Sequence, residues 1–285
     1  GYGRFSSSTR KGVHASGINP RYRIENIRNL DLARILTDRI DIDQAAAKQA
    51  RSLLNELELQ EPGNFQVLLW QARLRTRTRD FEGARLSYGR ILKMDSSDID
   101  ALTGLGRTYV LEGNFQKARE YFSKACKIDP RNYNVHVELA DSYYQQGRFE
   151  DALDGLKKAI ALNSDNPLSH DMKTKCLMAM GRWDRALDAC RIMQKRFPDY
   201  ALLYLNYATV LVKKEKMQEA CNILLQGLKL ARCQDQFYSH LAHVYLELKK
   251  YSLALTYAEH FLKLHPNSNI MADLRKEIIR RKEEY

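Results

Sequence analysis

Four arginines at alternate positions are the clearest chemical feature of the sequence. Arg73, Arg75, Arg77 and Arg79 lie in "RLRTRTRDFEGARLSYGRIL", residues 73–92. Guanidinium groups bind carboxylates and phosphates through paired hydrogen bonds, so the stretch suits an acidic protein segment or a nucleic-acid backbone. Strict alternation would also place all four on one face of a strand. On a helix, at about 100° per residue, Arg73 and Arg77 share one face instead.

The sequence offers no arrangement for catalysis or metal binding. It has no G-x-S-x-G, G-x-G-x-x-G, P-loop or H-E-x-x-H motif, so we predict no catalytic residue, no cofactor and no enzyme activity. His240 and His243 lie three residues apart, but two ligands do not make a zinc site, and no acid or cysteine with motif spacing accompanies them. We therefore predict no metal site and interpret His243 as a neutral contact residue.

The cysteines indicate a reducing environment. There are five, an odd number, and none forms a C-x-x-C pair, which argues against a disulfide framework. They are Cys126, Cys176, Cys190, Cys221 and Cys233. We interpret Cys176 and Cys190 as small packing residues and expect an intracellular compartment, cytoplasmic in the first instance.

An internal period of 34 residues organises most of the chain. Alanine recurs at this spacing, and an aromatic residue or methionine lies three places before it. The alanines are Ala84, Ala118, Ala152, Ala186, Ala220 and Ala254, preceded by Phe81, Phe115, Phe149, Trp183, Met217 and Tyr251. The residue four places after each alanine completes one helix face, because positions i and i+4 are neighbours on a helix.

This pattern resembles the tetratricopeptide repeat, which has the same period. The resemblance implies an all-α, right-handed superhelical solenoid built from pairs of antiparallel helices. The repeats are expected at 65–98, 99–132, 133–166, 167–200, 201–234 and 235–268, with a weaker unit at 31–64 that completes a solenoid at 31–268. In the repeat at 65–98, Arg75 takes a position that is usually aromatic, and Arg79 takes that of the turn glycine.

Two further segments flank the predicted solenoid. Residues 1–30 have six basic residues against one acidic residue and few apolar ones, which predicts a basic extended segment whose removal leaves stability nearly unchanged. Its arginine and serine content also resembles part of an organelle-import sequence. Residues 269–285 have apolar residues at helical spacing opposite charged ones, which predicts a C-terminal capping helix.

The resemblance also implies which side chains face a concave groove that binds partner segments. The expected groove residues are Arg73, Arg77, Arg107, Asn134, Asp141, Tyr144, Lys175, Met178, Leu205, Val212 and His243. Their order, basic first and apolar later, suits a partner segment with acidic residues at one end and apolar anchors at the other. Two alternatives are a simply solvated arginine-rich helix and apolar residues covered by the tail or by packing. The family's clamp for a C-terminal carboxylate does not line up, since Val137, Asp141 and Met172 take three of its positions.

Charge and hydropathy narrow the class of function. The net charge is +11, yet it is patchy: the repeats at 31–64 and 133–166 are acidic. No apolar run approaches the ~18 residues of a membrane-spanning helix. We therefore predict a non-enzymatic scaffold or adaptor for protein partners in a multi-subunit complex. The alternative is an RNA-associated repeat protein that contacts phosphate through the basic tail and the arginines.

Overall fold

The computed structural model describes residues 20–38, 44–232 and 234–284, and over these residues it contains fifteen α-helices and no strand. The all-α prediction is therefore confirmed. The helices are α1 (Pro20–Asp38), α2 (Gln44–Gln60), α3 (Phe65–Arg77), α4 (Phe81–Met94), α5 (Ile99–Leu111), α6 (Phe115–Ile128), α7 (Tyr133–Tyr144), α8 (Phe149–Leu162), α9 (Pro167–Ala179), α10 (Trp183–Arg196), α11 (Ala201–Lys213), α12 (Met217–Leu230), α13 (Asp235–Glu247), α14 (Tyr251–Leu264) and α15 (Asn269–Glu283).

The helix boundaries follow the 34-residue period. From α3 to α13, the first helix of each pair begins where a predicted repeat begins, and the second begins at the aromatic residue or methionine of the pattern. Side chains that satisfy free backbone amides fix several of these starts: Asn64 accepts from Gln66 and Val67, and Asp98 accepts from Ala101. Such caps stabilise a helix end by roughly 1 kcal/mol.

The periodic alanines lie at the contacts between helices. All six, from Ala84 to Ala254, are fully buried, which is consistent with the small residue that close helix packing needs. Cys176 and Cys190 are also fully buried and unpaired, so their interpretation as packing residues is confirmed. Cys233 lies outside the described residues.

The predicted N-terminal segment is partly wrong. Helix α1 begins at Pro20, so residues 20–30 are helical rather than extended. The C-terminal half of this helix packs on the core: Leu30 and Leu36 contact a cluster that includes Ala33 and Leu54, and Thr37 is buried. The basic composition of residues 1–30 concealed these packing contacts. Residues 1–19 lie outside the described part of the chain.

The chain divides into two units, Gly1–Asn114 and Phe115–Tyr285. The first contains α1–α5 and the second α6–α15. In the second unit one continuous apolar core extends from Val137 to Ile278. Helix α15 closes it by burying Met271 and Ile278 while two arginines and one lysine occupy its last turn, as expected of a capping helix. No described helix is long and apolar enough to cross a membrane.

Candidate functional site

A cavity of about 320 Å³ lies between α7 and α9, which are first helices of adjacent pairs. Five lining residues come from α7 and its C-terminal end, and three come from α9. They are Val137, Glu138, Asp141, Tyr144, Gln145, Leu168, Met172 and Lys175. The cavity therefore collects three of the predicted groove residues: Asp141, Tyr144 and Lys175.

The lining combines an apolar part with charged groups. Val137 and Met172 are core residues, and Leu168 is 47% exposed. Glu138, Asp141 and Lys175 are half-buried, and the Gln145 amide lies 3.5 Å from a carboxylate oxygen of Asp141. Concave surfaces with apolar walls and a few convergent polar groups are typical binding sites.

A buried carboxylate lies behind the cavity. Asp171, on α9, is fully buried, and its Oδ1 accepts a hydrogen bond of 2.5 Å from Asn206 of α11. The Lys175 ammonium lies 2.8 Å from Oδ2, although outside hydrogen-bond geometry, so Oδ2 has no hydrogen-bond donor. An uncompensated buried charge costs several kcal/mol. Lys175 therefore compensates Asp171 inside the protein.

Burial and nearby carboxylates raise the pKa of two cysteine thiols and one tyrosine hydroxyl in this region. Burial, followed by the charge of Asp171, raises the pKa of the Cys190 thiol and that of the Tyr200 hydroxyl, each to about 12. Burial and then the charge of Asp141 raise the pKa of Cys176 to about 11. Each shift has the same physical cause: a low-dielectric, negative surrounding disfavours another anion.

The other predicted groove residues of the second unit lie outside this cavity. Leu205 is only 8% exposed, so it offers little surface. Met178 and Val212 are half-buried, and Asn134 and His243 are exposed. His243 Nδ1 lies 2.8 Å from the Ser239 carbonyl oxygen, and His240 has the same bond to Gln236. No group of three or more metal-ligating side chains occurs among the described residues.

The arginines of the first unit have intramolecular contacts. Arg73 stacks on Trp70 and lies 3.1 Å from a carboxylate oxygen of Asp100. Arg77 donates a 2.8 Å hydrogen bond to the Thr37 carbonyl at the end of α1, a usual role for a cation at a helix C-terminus. Arg107 is exposed on α5. Arg73 and Arg77 thus contact different elements, although they share one side of α3.

Sequence reasoning missed Asp171, although a signal was present. At 34-residue steps the equivalent positions in the regular repeats are Leu69, Thr103, Val137, Leu205 and Ser239. Asp171 is the one charged residue among these apolar and small polar residues, and a buried charged group is more informative than an exposed one. Such a group needs hydrogen-bond partners. Asn206, which lies 35 residues after Asp171, supplies one.

Three tetratricopeptide repeat family models match the sequence, at residues 69–133, 109–176 and 235–268. The first match extends from α3 to the start of α7, and the second extends from the end of α5 into α9 and so includes the cavity lining. The third covers α13 and α14. The chain belongs to the tetratricopeptide repeat family. No curated protein sequence matches it.

Solved structures of tetratricopeptide repeat proteins share the fold. Yeast Tom70 gives a TM-score of 0.65 at 18% identity, over 94% of this chain and 60% of that one. A tetratricopeptide repeat protein from Parabacteroides merdae gives 0.64 at 16% identity, over 88% and 99%. Cut9, in the APC/C hetero-tetramer Cut9–Hcn1, gives 0.63 at 20% identity, over 90% and 54%. At these identities the likeness concerns the fold.

Proposed function

We propose that this tetratricopeptide repeat protein is a non-enzymatic interaction scaffold that binds segments of partner proteins along its first helices. The observation that carries the proposal is the cavity between α7 and α9, where Val137 and Met172 form apolar walls beside charged side chains. A peptide binds such a surface through apolar anchors, while the polar groups fix its register.

A protein partner is favoured over RNA by the charges at this site. Glu138 and Asp141 line the cavity, and carboxylates repel a phosphate backbone, which needs a continuous cationic surface. In the first unit Arg73 is already paired with Asp100. The RNA alternative then depends chiefly on the basic residues of 1–30.

A place in a multi-subunit complex is part of the proposal. One protein of the same fold, Cut9, was solved in a hetero-tetramer with Hcn1. A solenoid suits such a role because its stacked repeats offer extended surfaces to several partners. The buried, unpaired thiols of Cys176, Cys190 and Cys221 support a reducing compartment.

Site-specific photo-crosslinking in cells tests the proposal. A photoreactive phenylalanine analogue at Tyr144, in the cavity, should crosslink one or a few defined proteins. The same analogue at Lys157, exposed on α8, is the matched control and should give different products or none. Identical products at both positions, or crosslinks to RNA alone, would overturn the proposal.

A further inference from the structure

Helix α6, the second helix of its pair, carries a cationic surface outside the α7–α9 cavity. A separate cavity of about 430 Å³ lies on it and shares no lining residue with the first. Its charged and aromatic lining residues are Arg119, Lys124, Lys127, Glu120 and Tyr143 of α7. At about 100° per residue, the three cations lie within an arc of roughly 140° on one side of α6.

We propose that this α6 surface, defined by Arg119, Lys124 and Lys127, binds a segment of a partner protein that carries two or more carboxylate side chains. The inference goes beyond the proposed function, because it adds a surface on a second helix to the cavity between first helices. A scaffold with both surfaces can hold two partner segments at the same time.

The preceding repeat shows what compensates an arginine at the position of Arg119. Arg85 lies 34 residues earlier; it stacks on a tyrosine ring at 5.8 Å and pairs with the Glu112 carboxylate. Arg119 has the same arrangement, since its guanidinium group lies 5.5 Å from the Tyr143 ring centre and donates to the Gln146 side-chain oxygen. Gln146 is the 34-residue equivalent of Glu112. The arginine is therefore present in both repeats, while the acid is replaced by a neutral amide.

The position of Lys124 shows the same change. Arg90, 34 residues earlier, pairs with the Glu58 carboxylate. The residue 34 positions after Glu58 is Leu92, and the Lys124 ammonium lies over the Tyr121 ring at 5.2 Å. The two carboxylates that compensate the arginines of α4 thus have no acidic counterpart at the positions equivalent for α6.

Within the described part of the chain, none of the three cations forms an ion pair with a carboxylate. Lys127 is exposed and lies between Arg119 and Lys124 on the arc of α6. Their attraction for an incoming carboxylate is therefore not offset by an ion-pair partner inside the protein. The contacts of Arg119 with Tyr143 and Gln146 also hold its guanidinium group in place, which reduces the entropy lost on binding.

The size of the surface favours an acidic protein segment over RNA. Arg119 and Lys127 are eight residues apart, about 12 Å along the helix at roughly 1.5 Å per residue. That length accommodates two carboxylates of an extended segment, which rises about 3.3 Å per residue. An RNA backbone needs a continuous cationic surface. Here Glu120 lies within the surface, and Glu150 and Asp151 begin the next second helix, α8.

A random library of twelve-residue peptides displayed on phage, selected on the full chain at about 150 mM salt, provides the probe. Peptides directed to the surface are those that lose binding to the Arg119→Gln, Lys124→Gln, Lys127→Gln triple variant. We expect them to be enriched in aspartate and glutamate. As synthetic peptides they should bind the triple variant roughly tenfold more weakly than the wild type.

A second triple variant is the matched control for net charge. Lys195→Gln, Lys229→Gln and Lys263→Gln change exposed lysines that have the repeat position of Lys127 on three other second helices. This variant loses the same charge and should bind the peptides within about twofold of the wild type. Circular dichroism checks that both triple variants keep the wild-type helix content.

A single substitution tests the missing acid directly. Gln146→Glu restores, beside Arg119, the carboxylate that is present in the preceding repeat, so the acidic peptides should bind roughly threefold more weakly. Gln218→Glu is its control, because the Gln218 side chain accepts a 3.0 Å hydrogen bond from Lys250. There the same charge appears beside a cation outside the surface, and the affinity should match the wild type.

Several results would overturn the inference. They are a selection that yields no peptide dependent on the α6 cations, dependent peptides without acidic residues, and equal weakening by the two triple variants. A twelve-nucleotide single-stranded RNA that binds with the same dependence, where no acidic peptide is selected, would assign the surface to phosphate instead. Each of these results leaves the α7–α9 cavity and its crosslinking test at Tyr144 unaffected, so the two proposals fail separately.

Discussion

At the scale of single residues, the turn within each helix pair needs one left-handed backbone position. Gly113, Gly147 and Gly181 have positive φ angles of 78°, 74° and 68°. The same turn in other repeats has Arg79 at 62°, Glu215 at 61° and Lys249 at 57°. All six positions are related by the 34-residue period. A residue with a Cβ atom in this conformation costs roughly 1–2 kcal/mol relative to glycine.

Replacing Glu215 by glycine should therefore stabilise the protein. We expect the free energy of unfolding to rise by roughly 0.5–1 kcal/mol, because removal of the Cβ clash stabilises the folded state. The greater conformational entropy of glycine in the unfolded chain offsets only part of this gain. Gly147→Ala is the reciprocal control and should lower the free energy by about 1 kcal/mol. Urea titration followed by circular dichroism measures both, and a loss of stability in Glu215→Gly would contradict the explanation.

At the scale of helices, Gly227 marks the point where α12 meets two neighbours. A Cβ atom added there would lie 2.4 Å from the Phe237 ring of α13 and 2.5 Å from the Tyr204 Cβ of α11. Contacts this short require the helices to separate, since interiors are close-packed. The glycine thus sets the distance between three successive helices.

Gly227→Ala should destabilise the protein by roughly 1–3 kcal/mol, the usual cost of overpacking. Gly89→Ala is the matched control, because a Cβ atom at that helical position would meet nothing within 4 Å. There alanine should be neutral or stabilising by up to about 1 kcal/mol through its higher helix propensity. Equal urea midpoints for the two variants would show that the helices around Gly227 are not closely packed.

The starts of most helices could be predicted from the sequence because the 34-residue period repeats six times. Each alanine and each aromatic residue confirms the phase of the others, so the starts of α3 to α14 follow directly from the sequence. Helix α1 did not follow, since it lies before the regular repeats and its basic residues outweigh Leu30 and Leu36. The cavity could be predicted in part. Asp141, Tyr144 and Lys175 have groove positions in the repeat pattern, whereas the pairing of Lys175 with Asp171 is a contact that the repeat pattern does not show.

At the scale of the whole molecule, neighbouring repeats are joined by polar contacts between residues 30 to 32 positions apart in the sequence. In the second unit, Arg182 pairs with Glu150, Lys214 with Asp184, and Arg196 with Asp165. These pairs are largely exposed, so each contributes roughly 0–1 kcal/mol. Most of the stability then comes from the apolar contacts between adjacent helices, as expected of a structure whose repeats contact only their neighbours.

The N-terminal end of the first unit offers a test of this nearest-neighbour organisation. Deleting residues 1–19 should change thermal stability little, because the segment has few apolar residues to lose. Deleting residues 1–30 should be more costly, since it removes Leu30 from the core around Ala33 and Leu54. It also removes the 2.9 Å hydrogen bond from Asn26 to Glu61 of the loop that follows α2. Loss of a half-buried leucine and of this bond should cost roughly 1–3 kcal/mol.

Amide hydrogen exchange of both truncated chains gives the local readout. In the chain that lacks 1–30, protection should fall first in the remaining part of α1 and in α2, because local stability depends on local contacts. Protection in α11–α14 should match the full-length chain and serves as the internal control. If the two truncations give the same protection in α2, the packing of Leu30 contributes nothing and α1 is not part of the core. A parallel loss in α11–α14 would show instead that the repeats unfold as one cooperative unit.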